Sequence, residues 1–140
     1  MIDVRQAIIR SLNNKFGIKV YGEMTEQNFE TPCFYVKTLL ADHTKQVGNY
    51  QRSFYSFNIH YFPNDEDNRP NKACNDMKAE LNGLFFFFEE LKLFPVKLTG
   101  EVVNSVLHFI VDFNIRYKVE IDDGSEKLRE LEMRSEVVDG

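Results

Sequence analysis

The chain of 140 residues has few of the features that mark disulfide scaffolds, membrane proteins or nucleic-acid binders. Its two cysteines, Cys33 and Cys74, are too few for a disulfide framework and form no C-x-x-C pair, which predicts buried thiols in a reducing compartment. No apolar run approaches the roughly 20 residues that cross a bilayer, and the N-terminus lacks a signal-peptide pattern. The net charge of −5 argues against a basic nucleic-acid-binding surface. We therefore expect a cytoplasmic protein without a membrane segment.

Residues that would support catalysis are also sparse. The seven glycines are scattered, so the sequence contains no phosphate-binding loop. None of the three histidines, His43, His60 and His108, has a second His or Cys at metal-ligand spacing. His60 and Asp112 are candidates to meet across a sheet, but no Ser or Cys is placed to complete a triad. We predict no catalytic, cofactor-binding or metal site, no cofactor, and a protein that is not an enzyme.

What the sequence does contain is a high proportion of aromatic residues, with thirteen Phe and six Tyr but no Trp. Hydrophobic residues make up 43% and charged residues 28%, which is typical of a folded soluble domain. Residues 122–140 hold seven acidic and three basic residues, so this segment carries −4 of the total charge of −5. We predict a single domain over residues 1–121, followed by an acidic strand or extended arm over residues 122–140.

The first segment predicts a helix over Asp3–Phe16. Asp3 and Gln6 form a capping pair at its start, and Gly17 can end it in the left-handed conformation. Apolar residues recur at every fourth position, which places them on one face of the helix: Val4, Ile8, Leu12 and Phe16. A short strand over Ile18–Tyr21 follows.

The next segment predicts a long hairpin with arms at Cys33–Ala41 and Tyr50–Phe62. Apolar and polar residues alternate along the second arm, as in a strand with one buried face. The polar sequence Asp42–Asn49 contains a Gly-Asn turn signal and predicts a flexible hairpin tip.

A second helix is predicted from about Asn71, with an apolar stripe that consists of Ala73, Met77, Leu81, Leu84 and Phe88. The run Phe85–Phe88 is unusual because four consecutive side chains on a helix point nearly all the way around it. Two interpretations remain open at this stage. The run is all core or passes into an extended segment before Glu89, or part of it forms a subunit contact.

The remaining sequence predicts a second hairpin with a first arm at Val96–Val103 and a turn at Asn104-Ser105. The second arm has one apolar face, typical of an antiparallel strand covered on one side only: Phe109, Val111, Phe113, Ile115, Tyr117 and Val119. After residue 125 an alternating pattern favours a strand over a helix. We predict an α+β fold, a two-layer sandwich in which two helices pack on one face of a mostly antiparallel sheet of about four to five strands.

The order of several sequence landmarks resembles a known family. These are Tyr21-Gly22-Glu23, Gln27-x-Phe29, Pro32–Val36, and Phe57–Pro63 before the second helix. The sequence is similar, over about residues 2–120, to the tail terminator (tail completion) proteins of long-tailed bacteriophages and prophages. No catalytic residue defines that family.

This resemblance implies an α/β fold and a hexameric ring on the last ring of tail-tube subunits. Such a ring stops tube polymerisation and offers a surface to the head–tail connector proteins. The implied partners are further copies of the chain, the tail-tube protein and the connector, with DNA passing through the ring but not bound specifically. Assembly would take place in the cytoplasm of the host bacterium, and the protein would end in the virion tail. The alternatives are a head–tail connector or neck protein, and a small-molecule binding module built on the sheet.

The sequence suggests which residues contact other subunits or the tube. We expect the hairpin tip, Asp42–Asn49, to contact a neighbouring subunit or the tube; the alternative is a solvated loop without a partner. The terminal segment is expected to add as an edge strand to a neighbour's sheet; the alternatives are that it pairs within its own subunit or that it is disordered. The candidate contacts are Asp42, His43, Lys45, Gln46, Asn49, Phe86, Phe87, Leu131 and Met133.

Overall fold

The computed structural model describes residues 3–22, 30–64, 66, 68–121 and 128–135. Within them the two helices contribute to one core together with the inner face of a mixed sheet, which confirms the predicted α+β fold. The elements are α1 Val4–Phe16, β1 Lys19–Tyr21, β2 Cys33–Lys45, β3 Tyr50–Phe62, α2 Pro70–Phe86, β4 Lys97–Val103, β5 Val106–Ile121 and β6 Leu128–Ser135.

The sheet has the strand order β1-β2-β3-β5-β4, and β6 also pairs with β5. Because β3 occupies one side of β5, both β4 and β6 lie along its other side. There β4 pairs with Val106–Asp112 and β6 pairs with Ile115–Ile121. The sheet is therefore five strands wide. All pairings are antiparallel except that of β1 with β2.

Helix α1 forms as its sequence predicts. The Asp3 side chain accepts a hydrogen bond from the Gln6 backbone N–H at 3.0 Å, and Gly17 ends the helix with a φ of 67°. Arg5 is an exception to the expected polar face. It is half-buried and donates hydrogen bonds to the backbone carbonyls of Gly22 and Val36, which ties the helix to the sheet.

The first hairpin is longer and its tip shorter than expected. Strand β2 continues to Lys45, so Asp42, His43 and Lys45 belong to a strand and pair with β3. The prediction of a flexible tip over Asp42–Asn49 is therefore wrong for the first half of that range. The physical reason is that ladder hydrogen bonds join backbone groups, so a polar sequence can pair as well as an apolar one.

The phenylalanine run passes from helix to extended chain. Helix α2 ends at Phe86, and Phe87 has the extended angles φ −133° and ψ 117°. Phe85 and Phe88 are both buried, with ring centroids 5.4 Å apart. The core interpretation thus holds for these two residues, whereas Phe86 remains 70% exposed.

The second hairpin turns at Asn104 and Ser105, which both have positive φ, as a two-residue hairpin turn requires. The predicted alternation in β5 is confirmed, since the residues from Leu107 to Tyr117 that face the helices are buried and those between them are half-exposed.

The terminal segment forms a strand over Leu128–Ser135, as the alternating pattern predicts, and not the competing helix. This strand, β6, pairs along one edge with β5 of its own chain, as the alternative for this segment predicts. The rest of the acidic segment, residues 122–127 and 136–140, lies outside the described residues.

Candidate assembly surfaces

The part of β2 that follows the β1 pairing has an open side. Strand β1 covers only Cys33–Tyr35, and no other described strand pairs with β2 on the side away from β3. Every residue from Lys37 to Lys45 is exposed, and a register shift between Thr38 and Leu40 marks a bulge. We call the open side of Lys37–Lys45 the distal edge. Such an unpaired strand edge is a template for adding another strand.

A cavity of about 400 Å³ lies beside this edge, between the start of α1 and the hairpin. Two of its polar side chains have structural partners: Asp3 caps α1, and His43 Nδ1 lies 2.7 Å from Ser53 Oγ. The cavity provides space next to the strand. Its lining consists of Asp3, Val4, Arg5, Thr38, Ala41, His43, Tyr55 and Phe57.

An aromatic patch lies where α2 ends. Phe86 is 70% exposed and Phe94 is 46% exposed, with ring centroids 6.2 Å apart. The ring of the half-buried Phe87 lies 4.7 Å from that of Phe94. We call these three residues the phenylalanine patch. A cluster of large apolar side chains at a surface commonly marks a protein–protein contact.

Phe94 is the member of this patch that sequence reasoning missed. It comes next to Phe86 and Phe87 because the chain reverses after the helix, where Phe88 and Leu93 form an isolated bridge. Its position beside Pro95, at the end of an apolar stretch, is the signal that could have drawn attention to it.

The outer face of the sheet carries two histidines that sequence reasoning treated separately. His60 and His108 are directly opposite each other on β3 and β5, with ring centroids 4.5 Å apart. Burial, then the neighbouring His108 and Lys37, lowers the pKa of His60 from its ordinary 6.5 to about 4. His60 is therefore neutral at physiological pH.

His60 and Asp112, the pair considered for catalysis, do not meet on the outer face of the sheet. Asp112 lies opposite Ser56, four positions along the strand from the His60–His108 pair. At about 3.4 Å per residue along a strand, the Cα atoms of His60 and Asp112 are more than about 10 Å apart. No three His, Cys, Asp or Glu side chains in the described part of the chain are grouped to hold a metal ion.

The predicted contact residues fall into two regions. Asp42, His43 and Lys45 lie on β2, and Gln46 and Asn49 lie in the turn that follows. Leu131 and Met133 lie on β6, where Met133 is opposite Tyr117. Because Tyr50 pairs with Lys118 and Lys118 pairs with Glu132, the hairpin turn and β6 occupy the same end of the sheet. Phe86 and Phe87 form a separate region at the end of α2.

A family model described as phage tail terminator protein matches residues 3–125. The chain belongs to the phage tail terminator family. The match runs from α1 through β5 and ends before β6, so the family pattern covers both helices and five of the strands described above. It confirms the resemblance drawn from the sequence landmarks. A search of curated proteins found no match.

Family membership defines the broad role of the chain as a component of a phage tail. The family is structural and not enzymatic. No helix in the part of the chain that the structure describes is long and apolar enough to span a bilayer.

Proposed function

We propose that the chain acts as a ring of identical subunits, a hexamer, that caps the end of the phage tail tube. The ring stops tube polymerisation and presents the surface on which head and tail join. The observation that carries this proposal is the family match over residues 3–125, together with exposed surfaces of the kind that assembly requires. The protein works without a cofactor and catalyses no reaction.

A ring needs two different contact surfaces on every subunit, because each copy meets its neighbours head to tail. The phenylalanine patch and the distal edge of β2 are two such surfaces, one apolar and one made of backbone groups. They support a ring because neither is covered by another described part of the same chain.

The partners follow from this position at the tube end. One side of the ring contacts the tail-tube protein and the other contacts the head–tail connector proteins. We further propose that residues 1–121 form the body of the ring and that the acidic residues 122–140 lie on its surface. On the lumen side of the ring, a charge of −4 on this segment would repel passing DNA and prevent its capture. Assembly takes place in the host cytoplasm, and the ring remains in the virion tail.

Light scattering and negative-stain imaging of the purified protein test the ring directly. We expect a ring of six copies, or a ring that forms when polymerised tail tubes are added. Tubes grown with the protein should be shorter and closed at one end. A protein that stays monomeric on its own and with tubes, and leaves tube length unchanged, would contradict the proposal. A ring found only on the head connector would favour the neck-protein alternative.

The turn at Gln46–Asn49 offers a second test of the tube contact. Replacing Val47–Asn49 by a two-residue Asn-Gly turn should leave the melting temperature nearly unchanged, because Gln46 still pairs with Tyr50 and the β2–β3 register is retained. If the turn contacts the tube or a neighbour, fewer completed tails should form in an assembly assay. Unchanged virion yield would show that the turn is a solvated loop.

A further inference from the structure

The hydrogen-bond pattern at the hairpin end shows which backbone groups of β2 point away from β3. The Gln46 N–H donates to the Tyr50 carbonyl at 2.9 Å, which makes this a hydrogen-bonded pair. Hydrogen-bonded and non-hydrogen-bonded pairs alternate along an antiparallel ladder. Ala41, His43 and Lys45 therefore occupy non-hydrogen-bonded positions, and their N–H and C=O groups point to the open side.

The base of the strand confirms this direction. Val36 lies opposite Ile59, two positions along β3 from Phe57 and four from Tyr55, so it also occupies a non-hydrogen-bonded position. Its carbonyl accepts a hydrogen bond from Arg5 Nη2 at 3.1 Å, which is possible only on the side away from β3. Arg5 thus satisfies the outward carbonyl of Val36, and the distal edge begins at the next residue, Lys37.

The sheet has a second open edge on the side opposite to β2, along β4 and β6. Strands β4 and β6 each pair only with β5 among the described residues, and together they flank it from Val106 to Ile121. Strands β2 and β5 run in the same direction because both are antiparallel to β3. The strands β4 and β6 therefore run opposite to β2.

We propose that the distal edge of β2 in one subunit pairs with the outer edge of β4 and β6 in the next, so that one sheet continues around the ring. The proposal rests on the proposed ring. Continuing a sheet by rotation from copy to copy preserves strand direction, so the pairing between subunits is antiparallel. Each copy supplies one edge of each kind, which is the head-to-tail contact that a closed ring needs.

The cavity beside the distal edge gives this pairing a place for side chains. Thr38 and Ala41 line both the edge and the cavity, so a strand added to β2 places alternate side chains over a space of about 400 Å³. In strand addition, backbone hydrogen bonds supply affinity and such pockets supply specificity. A peptide of the tube protein would fill one edge only, whereas a second copy fills both.

Proline substitution tests the outward N–H groups without touching those that hold the hairpin. Ala41→Pro removes an N–H that points to the open side, a position where proline is tolerated in an edge strand. Ala41→Val keeps the N–H and is the matched control. We expect Ala41→Pro to give a folded monomer by circular dichroism and light scattering, and Ala41→Val to form rings as the wild type does.

The outcomes separate this inference from the proposed ring. If the wild type and Ala41→Pro both form rings, the strand pairing is wrong while the ring stands. If the wild type forms no ring alone or on tubes, the ring itself is wrong.

Hydrogen exchange on the unmodified protein decides the matter even if Ala41→Pro fails to fold. Exchange in a peptide covering residues 38–46 should be slower in the ring than in the diluted monomer. Unchanged exchange in that peptide would overturn the pairing. Protection of this peptide by tube protein without ring formation would also overturn it, because the edge would then bind the tube.

Discussion

Two neighbouring phenylalanines at the end of α2 allow a sharp test of the structure. Phe85 is fully buried, with its ring 5.4 Å from that of Phe88 and 6.2 Å from that of Phe109. Phe86 is 70% exposed and contacts Phe94 edge-on. The same substitution, Phe to Ala, should therefore destabilise the fold strongly at one position and only slightly at the next.

The sizes of the two effects follow from burial. Phe85→Ala should lower the free energy of unfolding by about 3–5 kcal/mol, the range for truncating a buried phenylalanine. This is a large part of the roughly 5–15 kcal/mol that stabilises a typical domain. Phe86→Ala should cost about 1 kcal/mol or less, because only its contact with Phe94 and partial burial are lost.

Association between subunits should instead be weakened mainly by Phe86→Ala, because Phe86 is the exposed residue of the two. Burying the exposed 70% of a side chain of about 200 Å² removes about 140 Å² of apolar surface from water. At about 25 cal/mol per Å² this is worth up to about 3.5 kcal/mol for each contact. Phe86→Ala should then weaken association between subunits by up to about 400-fold.

Urea denaturation followed by circular dichroism measures the first effect, at a protein concentration where the chain is monomeric. Light scattering across a concentration series measures the second. If Phe86→Ala destabilises the monomer as strongly as Phe85→Ala, the orientation of the helix end is wrong. If Phe86→Ala changes neither stability nor association, the phenylalanine patch is not a subunit contact.

Three further predictions concern the body of the domain. Asp3→Ala should lower the free energy of unfolding by about 1 kcal/mol in urea denaturation, since it removes the side-chain cap of α1, and an unchanged midpoint would contradict that cap. Val111→Asp should prevent folding because it buries an unpaired charge. Asn114→Ala on the opposite face should cost only about 1 kcal/mol, because this half-exposed side chain loses just the 3.4 Å hydrogen bond that Arg52 donates to it. Thermal melts that rank the two variants the other way would overturn the strand register. The pKa of His60 is lowered to about 4, so the unfolded chain binds a proton at higher pH than the folded chain does. Proton binding by this group therefore has no effect on stability above about pH 6.5 and lowers stability as the pH falls towards 4. His60→Gln should flatten that part of the stability profile measured by urea denaturation.

The regular elements could be predicted because their signals are local. A four-residue apolar spacing with a capping aspartate specified α1, and strict alternation specified β3 and β5 within a few residues of their observed ends. The extension of β2 to Lys45 could not be predicted in this way. Its side chains are polar and exposed, and its conformation depends on backbone pairing with β3.

The sequence by itself determined which faces of the helices and strands are apolar, because side-chain periodicity is a property of neighbouring residues. Only the tertiary structure decided which strands lie side by side and where the sheet is left open. In the folded domain Phe94 contacts Phe86, and His60 lies opposite His108. The distal edge of β2 lies beside a cavity. These relations join residues far apart along the chain, and strand pairing and loop reversal create them when the whole domain packs.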